Sequence, residues 1–185
     1  MPRKAPPKIS RRYLMWSANA YLKRWFAPRN HVRRTLMRKV YKSVNHHESD
    51  REEAEAILDE VLDHLESIGM LNDRAYARSK VKSFVRKGVP TRGIERRLML
   101  KGVDRELIRE CLQEAREGDR DLDLLAACTY VRKRRLGPYR FDPIKREDYR
   151  VKDLAKMGRA GFSYGIAKRL LALDGPDDVE LLAQG

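Results

Sequence analysis

Apolar residues recur at helical spacing through most of the chain, and glycine, proline and capping side chains punctuate them at short intervals. The clearest stretch runs from Asp73 to Arg116. Asn72-Asp73 is a good N-terminal cap, and after it Ala77, Val81, Phe84 and Val85 share one helical stripe. Gly88, followed by Pro90, stops that helix and restarts the chain. A second helix carries Ile94 and Leu98 at i, i+4 and ends at Lys101-Gly102. A third begins at Asp104 and aligns Leu107, Ile108, Cys111, Leu112 and Ala115 on one face. No convincing period-2 run of β-branched residues occurs anywhere, so the expectation is an all-α protein.

The same pattern recurs on both sides. Upstream, a helix over about 10–26 places Leu14, Ala18, Tyr21, Leu22 and Trp25 inward, with Trp16 and Trp25 read as packing aromatics. Pro28 restarts the chain into a stripe of Val32, Leu36 and Val40. A connection over 41–51 follows, holding His46 and His47. The most regular helix comes next, Glu52 to Ile68, with Ala54, Ile57, Leu58, Val61, Leu62, Leu65 and Ile68 on one side. Its other side is acidic, and answers neighbouring basic helices rather than holding a metal. Downstream, Leu124, Leu125, Cys128 and Val131 make one helix, and Val151, Leu154 and Ala155 a second. Gly161-Phe162-Ser163 then leads to Ile166, Ala167, Leu170 and Leu171, repeating the arrangement of Gly102-Val103-Asp104. In each turn a glycine ends one helix, an apolar residue packs, and a polar side chain caps the next.

The expectation is therefore three tandem three-helix repeats forming an elongated, curved molecule. Repeat 1 covers 10–71, repeat 2 covers 72–118, and repeat 3 covers 119–174 with a loop insertion at 137–148. A basic arm at 1–9, expected to be disordered, precedes them, and an acidic tail at 175–185, expected to fray, follows.

Charge adds a partner to this picture. The chain has 185 residues, a formal net charge of +14 and 37% charged residues. From Met1 to His47 there are thirteen Lys or Arg and not one Asp or Glu. Such an excess suits a polyanion or an acidic protein surface. Candidate contact residues are Arg33, Arg34 and Arg38 on the helix after Pro28; Arg78, Lys82, Arg92 and Arg96 in the central unit, grouped in one patch with Lys87; and Arg132, Lys133, Arg134 and Arg135. The plainer reading of each is a solvated basic face.

No apolar run approaches the roughly 18 to 20 residues that span a bilayer, and no signal-peptide pattern follows the N-terminus. Cys111 and Cys128 sit at apolar helical positions and read as reduced core thiols. A cytoplasmic protein is expected. Paired-cysteine metal spacing, a glycine-rich phosphate loop and a nucleophile–base set are all missing, so neither an enzyme nor a cofactor is expected.

Three stretches together resemble the RecX family of recombination regulators. They are Ala20-Tyr21-Leu22-Lys23-Arg24; Leu65-Glu66-Ser67-Ile68-Gly69-Met70-Leu71-Asn72-Asp73-Arg74-Ala75-Tyr76-Ala77; and Ile94-Glu95-Arg96-Arg97-Leu98-Met99-Leu100-Lys101-Gly102-Val103. Gly161-Phe162 is a weaker echo of the last. The resemblance spans about residues 13–173 and departs from the family pattern at 41–51 and 137–148. It implies a regulator, expected as a monomer, that binds the RecA recombinase on its DNA filament and restrains recombination and ATP turnover in DNA repair. DNA contact would be weak and non-specific, and no membrane would be involved. The alternative is a sequence-specific helix-turn-helix DNA-binding protein, which also accounts for the basic N-terminal third and predicts a preferred duplex sequence.

Overall fold

A computed structural model describes residues 5–116, 121–142 and 144–184. Residues 1–4 of the basic arm, 117–118 at the end of repeat 2, 119–120 at the start of repeat 3, Pro143 in the insertion and Gly185 of the tail lie outside the described residues. Among the described residues there are ten α-helices, one 3-10 turn and no strand: α1 (Arg11–Leu22), α2 (Arg29–His47), α3 (Arg51–Ser67), α4 (Asp73–Arg86), α5 (Thr91–Lys101), α6 (Arg105–Ala115), α7 (Leu122–Arg134), the 3-10 turn Gly137–Tyr139, α8 (Arg146–Ala160), α9 (Tyr164–Leu171) and α10 (Pro176–Gln184). The fold is all-helical. It divides into two compact units, Met1–Tyr76 with Met99–Asp104, and Ala77–Leu98 with Arg105–Gly185.

In the first unit α1, α2 and α3 pack on one another around Leu14, Val32, Leu36, Val40, Leu58, Val61, Leu62 and Leu65, all at most 1% exposed. Each such leucine contributes about 2 kcal/mol of burial, so this core outweighs any ion pair on its surface. Ser10 and Asp50 cap α1 and α3 by accepting from the amides of Tyr13 and Glu53. The acidic side of α3 does answer α2. Arg29 bonds Asp63 and Glu66 at 2.6 and 2.9 Å, and Arg33 forks onto Asp59 at 2.7 and 3.0 Å.

Two expectations fail here. Residues 41–47 are not a connection but the last turns of α2, which ends where Glu48 turns left-handed at φ 50°. Trp16 and Trp25 are not packing aromatics, for they are 66% and 61% exposed. Trp16 lies two residues from both Leu14 and Ala18, and two helical steps of 100° carry it to the far side of α1. Trp25 falls beyond the end of α1, so the helical stripe no longer applies to it; Ala27 is buried instead.

In the second unit Val81, Ile94, Leu98, Ile108, Cys111 and Leu112 of α4 to α6 are buried. A further core gathers Ala126, Ala127, Cys128, Val131, Leu136, Met157, Phe162, Ala167, Leu170 and Val179 from α7 to α10. The inward face expected for α8 is corrected: Val151 is 76% exposed and Ala155 exposed, while Asp153 and Met157 are buried. Asp153 is inward because its carboxylate receives the Arg140 guanidinium at 2.6 and 2.9 Å and the Gly137 amide at 3.0 Å. The frayed tail is corrected too. Residues 176–184 form α10, which packs on α7 through Val179, and its Glu180 accepts from Tyr139 Oη at 2.6 Å.

One junction occurs once in each unit. In the first, α2 begins after Pro28, which has no side chain to cap it. Asp73, the first residue of α4, accepts from the Arg29 amide at 2.7 Å. In the second, α5 begins after Pro90, and Asp123 in the first turn of α7 accepts from the Thr91 amide at 2.6 Å. The two inter-helix glycines fall beside the same helix starts. Gly102, at φ +87°, gives its carbonyl to Asn30 Nδ2 at 2.8 Å, and a Cβ on Gly161, at φ +103°, would lie 3.3 Å from Pro90. Either way, a proline-started helix is held at its first turn by an aspartate and a glycine turn from later helices.

Candidate partner interface

The basic residues separate into groups with different fates. In the first unit Arg33 is spent on α3: its fork onto Asp59 holds that carboxyl below the usual range, mainly through the hydrogen bond, against an opposing contribution from burial. Arg34 and Arg38 are exposed, and Arg34 donates to the Leu100 carbonyl at 2.9 Å. Their charge is felt nearby. The His31 imidazole is pushed down, first by burial and then by the positive charges of Lys101, Arg34 and Arg38. Lys39 bonds Ser17 Oγ at 3.0 Å, with its ammonium 5.5 Å from the Tyr13 ring and 5.9 Å from that of Trp16.

In the second unit the expected single patch of Arg78, Lys82, Arg92, Arg96 and Lys87 is divided. Arg78 and Lys82 border a groove of about 320 Å³ with Cys111, Glu114 and Ala115, and Arg78 Nε lies 2.5 Å from Glu114. Arg92 and Arg96 are exposed on α5, on the side away from buried Ile94 and Leu98. Lys87 lies elsewhere, in a cleft of about 550 Å³ with Arg97, Lys133, Arg134, Arg159 and Tyr130.

Arg132, Lys133, Arg134 and Arg135 follow one another at the end of α7, so the helical step points them apart. Arg132 reaches Glu180 at 3.2 Å, and Lys133 donates to the Arg86 carbonyl at 3.2 Å. The Arg134 guanidinium sits 5.9 Å from the Tyr130 ring, while Arg135, at φ 51°, ends the helix. Sequence reasoning missed Arg97, Arg159 and Tyr130. Arg97 was in view beside Arg96, but a further 100° of rotation carries it over the Phe84 ring at 5.1 Å.

Among the described residues no group of three or more His, Cys, Asp or Glu side chains is placed to hold a metal ion. Cys111 and Cys128 are buried thiols outside any disulfide, and burial pushes the Cys128 thiol up, away from the reactive thiolate. No described helix is long and apolar enough to cross a membrane.

The described residues form an all-helical protein with exposed basic side chains in both units. Its relatives make the class specific. A family model described as RecX, second three-helix domain, matches residues 72–112. The chain is 41% identical over 168 residues to the regulatory protein RecX of Myxococcus xanthus (strain DK1622), across 91% of this chain and 89% of that one. It is 35% identical over 117 residues to the regulatory protein RecX of Agrobacterium fabrum (strain C58 / ATCC 33970), across 63% of this chain and 59% of that one. No solved structure gives a significant match. The chain belongs to the RecX family of regulatory proteins.

Proposed function

We propose that this protein binds the RecA recombinase on its DNA filament in the cytoplasm and restrains recombination and ATP hydrolysis, without catalysis of its own. The observation that carries the reading is a relationship of 41% identity, spread over 91% of the chain, to a protein named for regulation. Two features of the chain support it physically. The repeated Pro–Asp–Gly junction is a way to string three-helix modules in tandem, so that one chain contacts neighbouring recombinase subunits. Exposed cations, Arg38 of the first unit and Lys82, Arg92 and Arg96 of the second, supply long-range attraction to an anionic filament.

The test is binding of the full chain to filaments assembled on single-stranded DNA. The variant Lys82→Glu/Arg92→Glu/Arg96→Glu changes net charge by six units and leaves the Arg78–Glu114 pair intact. It is expected to bind at least about tenfold more weakly and to lose most of the salt dependence. Unchanged affinity in a variant with wild-type helical content would remove these residues from the contact surface. Selection of a strong consensus duplex by the isolated protein would instead favour a helix-turn-helix DNA reader.

A further inference from the structure

We infer that the cleft between the α4–α5 turn and the C-terminal ends of α7 and α8 is a binding site for the phosphodiester backbone of single-stranded nucleic acid. The five cations Lys87, Arg97, Lys133, Arg134 and Arg159 line it, and no carboxylate does. Cations are common at helix C-termini simply because they offset the dipole. Three such termini meet here, those of α4, α7 and α8, each equivalent to roughly half a negative charge. Five positive charges exceed that by more than three.

The terminal carbonyls are also partnered by the backbone. Gly88 and Val89 amides close α4, Arg135 and Leu136 close α7, and Gly161 and Phe162 close α8. Among the described residues, Lys133 is the lining cation drawn into this task, through the Arg86 carbonyl. Asp123 of α7, whose carboxylate reaches the start of α5, is engaged by the Thr91 amide and hydroxyl.

The cleft is organised in advance. A Cβ on Gly88 would lie 3.0 Å from the Tyr130 amide nitrogen, so the α4–α5 turn is pressed onto α7 and forms a closed floor. Arg97 is braced on Phe84, Arg134 stands over Tyr130, and Tyr130 packs on Phe162 with ring centroids 5.2 Å apart. Arginine forks match the oxygens of a phosphate, and an aromatic ring among them suits a single strand. The cleft, of about 550 Å³, has room for a phosphodiester group.

This inference deepens the proposed function by naming what one of its basic surfaces takes, and it is tested without recombinase, so its failure leaves that function standing. Fluorescence anisotropy of a labelled oligothymidylate is measured with the full chain over a range of salt. Lys87→Ala/Arg159→Ala removes two cations that make no ion pair among the described residues. Arg105→Ala/Lys168→Ala removes two exposed cations elsewhere in the same unit. The cleft variant is expected to bind about tenfold more weakly and to flatten the slope of log K against log salt by about 1.4, or about 0.7 per lost contact. The control is expected to match wild type, and circular dichroism shows whether both remain folded. Equal losses in both variants, no loss in either, or tighter binding of duplex than of the single strand would overturn the assignment.

Discussion

Asp153 is 2% exposed, yet it carries three hydrogen bonds: two from Arg140 and one from the Gly137 amide. A buried charge is tolerated when it is paired this fully, and removing one partner leaves the other stranded. Asp153→Asn is expected to cost about 3 kcal/mol in chemical denaturation, whereas Val151→Ala, at an exposed position of the same helix, should change little. A small loss for Asp153→Asn would mean that Arg140 finds solvent easily. Tyr139 gives a pH signature. Burial first, and then its hydrogen bond to Glu180, push its hydroxyl from an ordinary value near 10 up to about 12. The folded state therefore holds this proton more tightly than the unfolded chain. The resulting stability is complete below pH 10 and is lost as pH rises from 10 towards 12. Tyr139→Phe should remove that part of the alkaline decline; an identical decline in the variant would contradict the assignment.

Between elements, the glycine turns distinguish a structural glycine from an incidental one. Gly102 combines φ +87° with a Cβ position 2.6 Å from Asn30 Cβ. Gly102→Ala should therefore cost about 1–3 kcal/mol. Gly158 lies inside α8 with nothing within 4 Å of its Cβ position. Gly158→Ala should raise stability by up to about 1 kcal/mol, and thermal melts of the pair check both signs. Helix starts and stops were legible in the sequence wherever glycine, proline or a capping side chain marked them, as at Gly88-Val89-Pro90 and Gly161-Phe162-Ser163. Inward faces were legible where they are apolar, as in α3, and illegible in α8, because an apolar stripe cannot register a carboxylate such as Asp153 whose partner lies thirteen residues away. The end of α2 and all of α10 escaped for a related reason. Tyr41 to His47 is mostly polar and Pro176 to Gln184 is short and opens on two aspartates, and buried Ser43 and Val179 hold them rather than a long hydrophobic run.

For the molecule as a whole, the excess of positive charge was plain from composition, but its grouping was not. Arg33 and Arg34 are neighbours in sequence, yet one is matched to Asp59 and the other faces a helix C-terminus, a difference that requires the packing of α2 against α3 and α5. Lys87 and Arg159 are seventy-two residues apart and line one cleft. A net charge of +14 also means that any polyanion will attract this protein at low salt, so a regulatory effect must be separated from simple competition for DNA. ATP hydrolysis by a RecA recombinase on single-stranded DNA, measured at moderate salt with substoichiometric amounts of this protein, makes that separation. Turnover is expected to fall at low ratios of protein to recombinase, and the Lys82→Glu/Arg92→Glu/Arg96→Glu variant is expected to lose the effect. Unchanged turnover, or a fall only when the protein is abundant enough to saturate the DNA, would contradict the account.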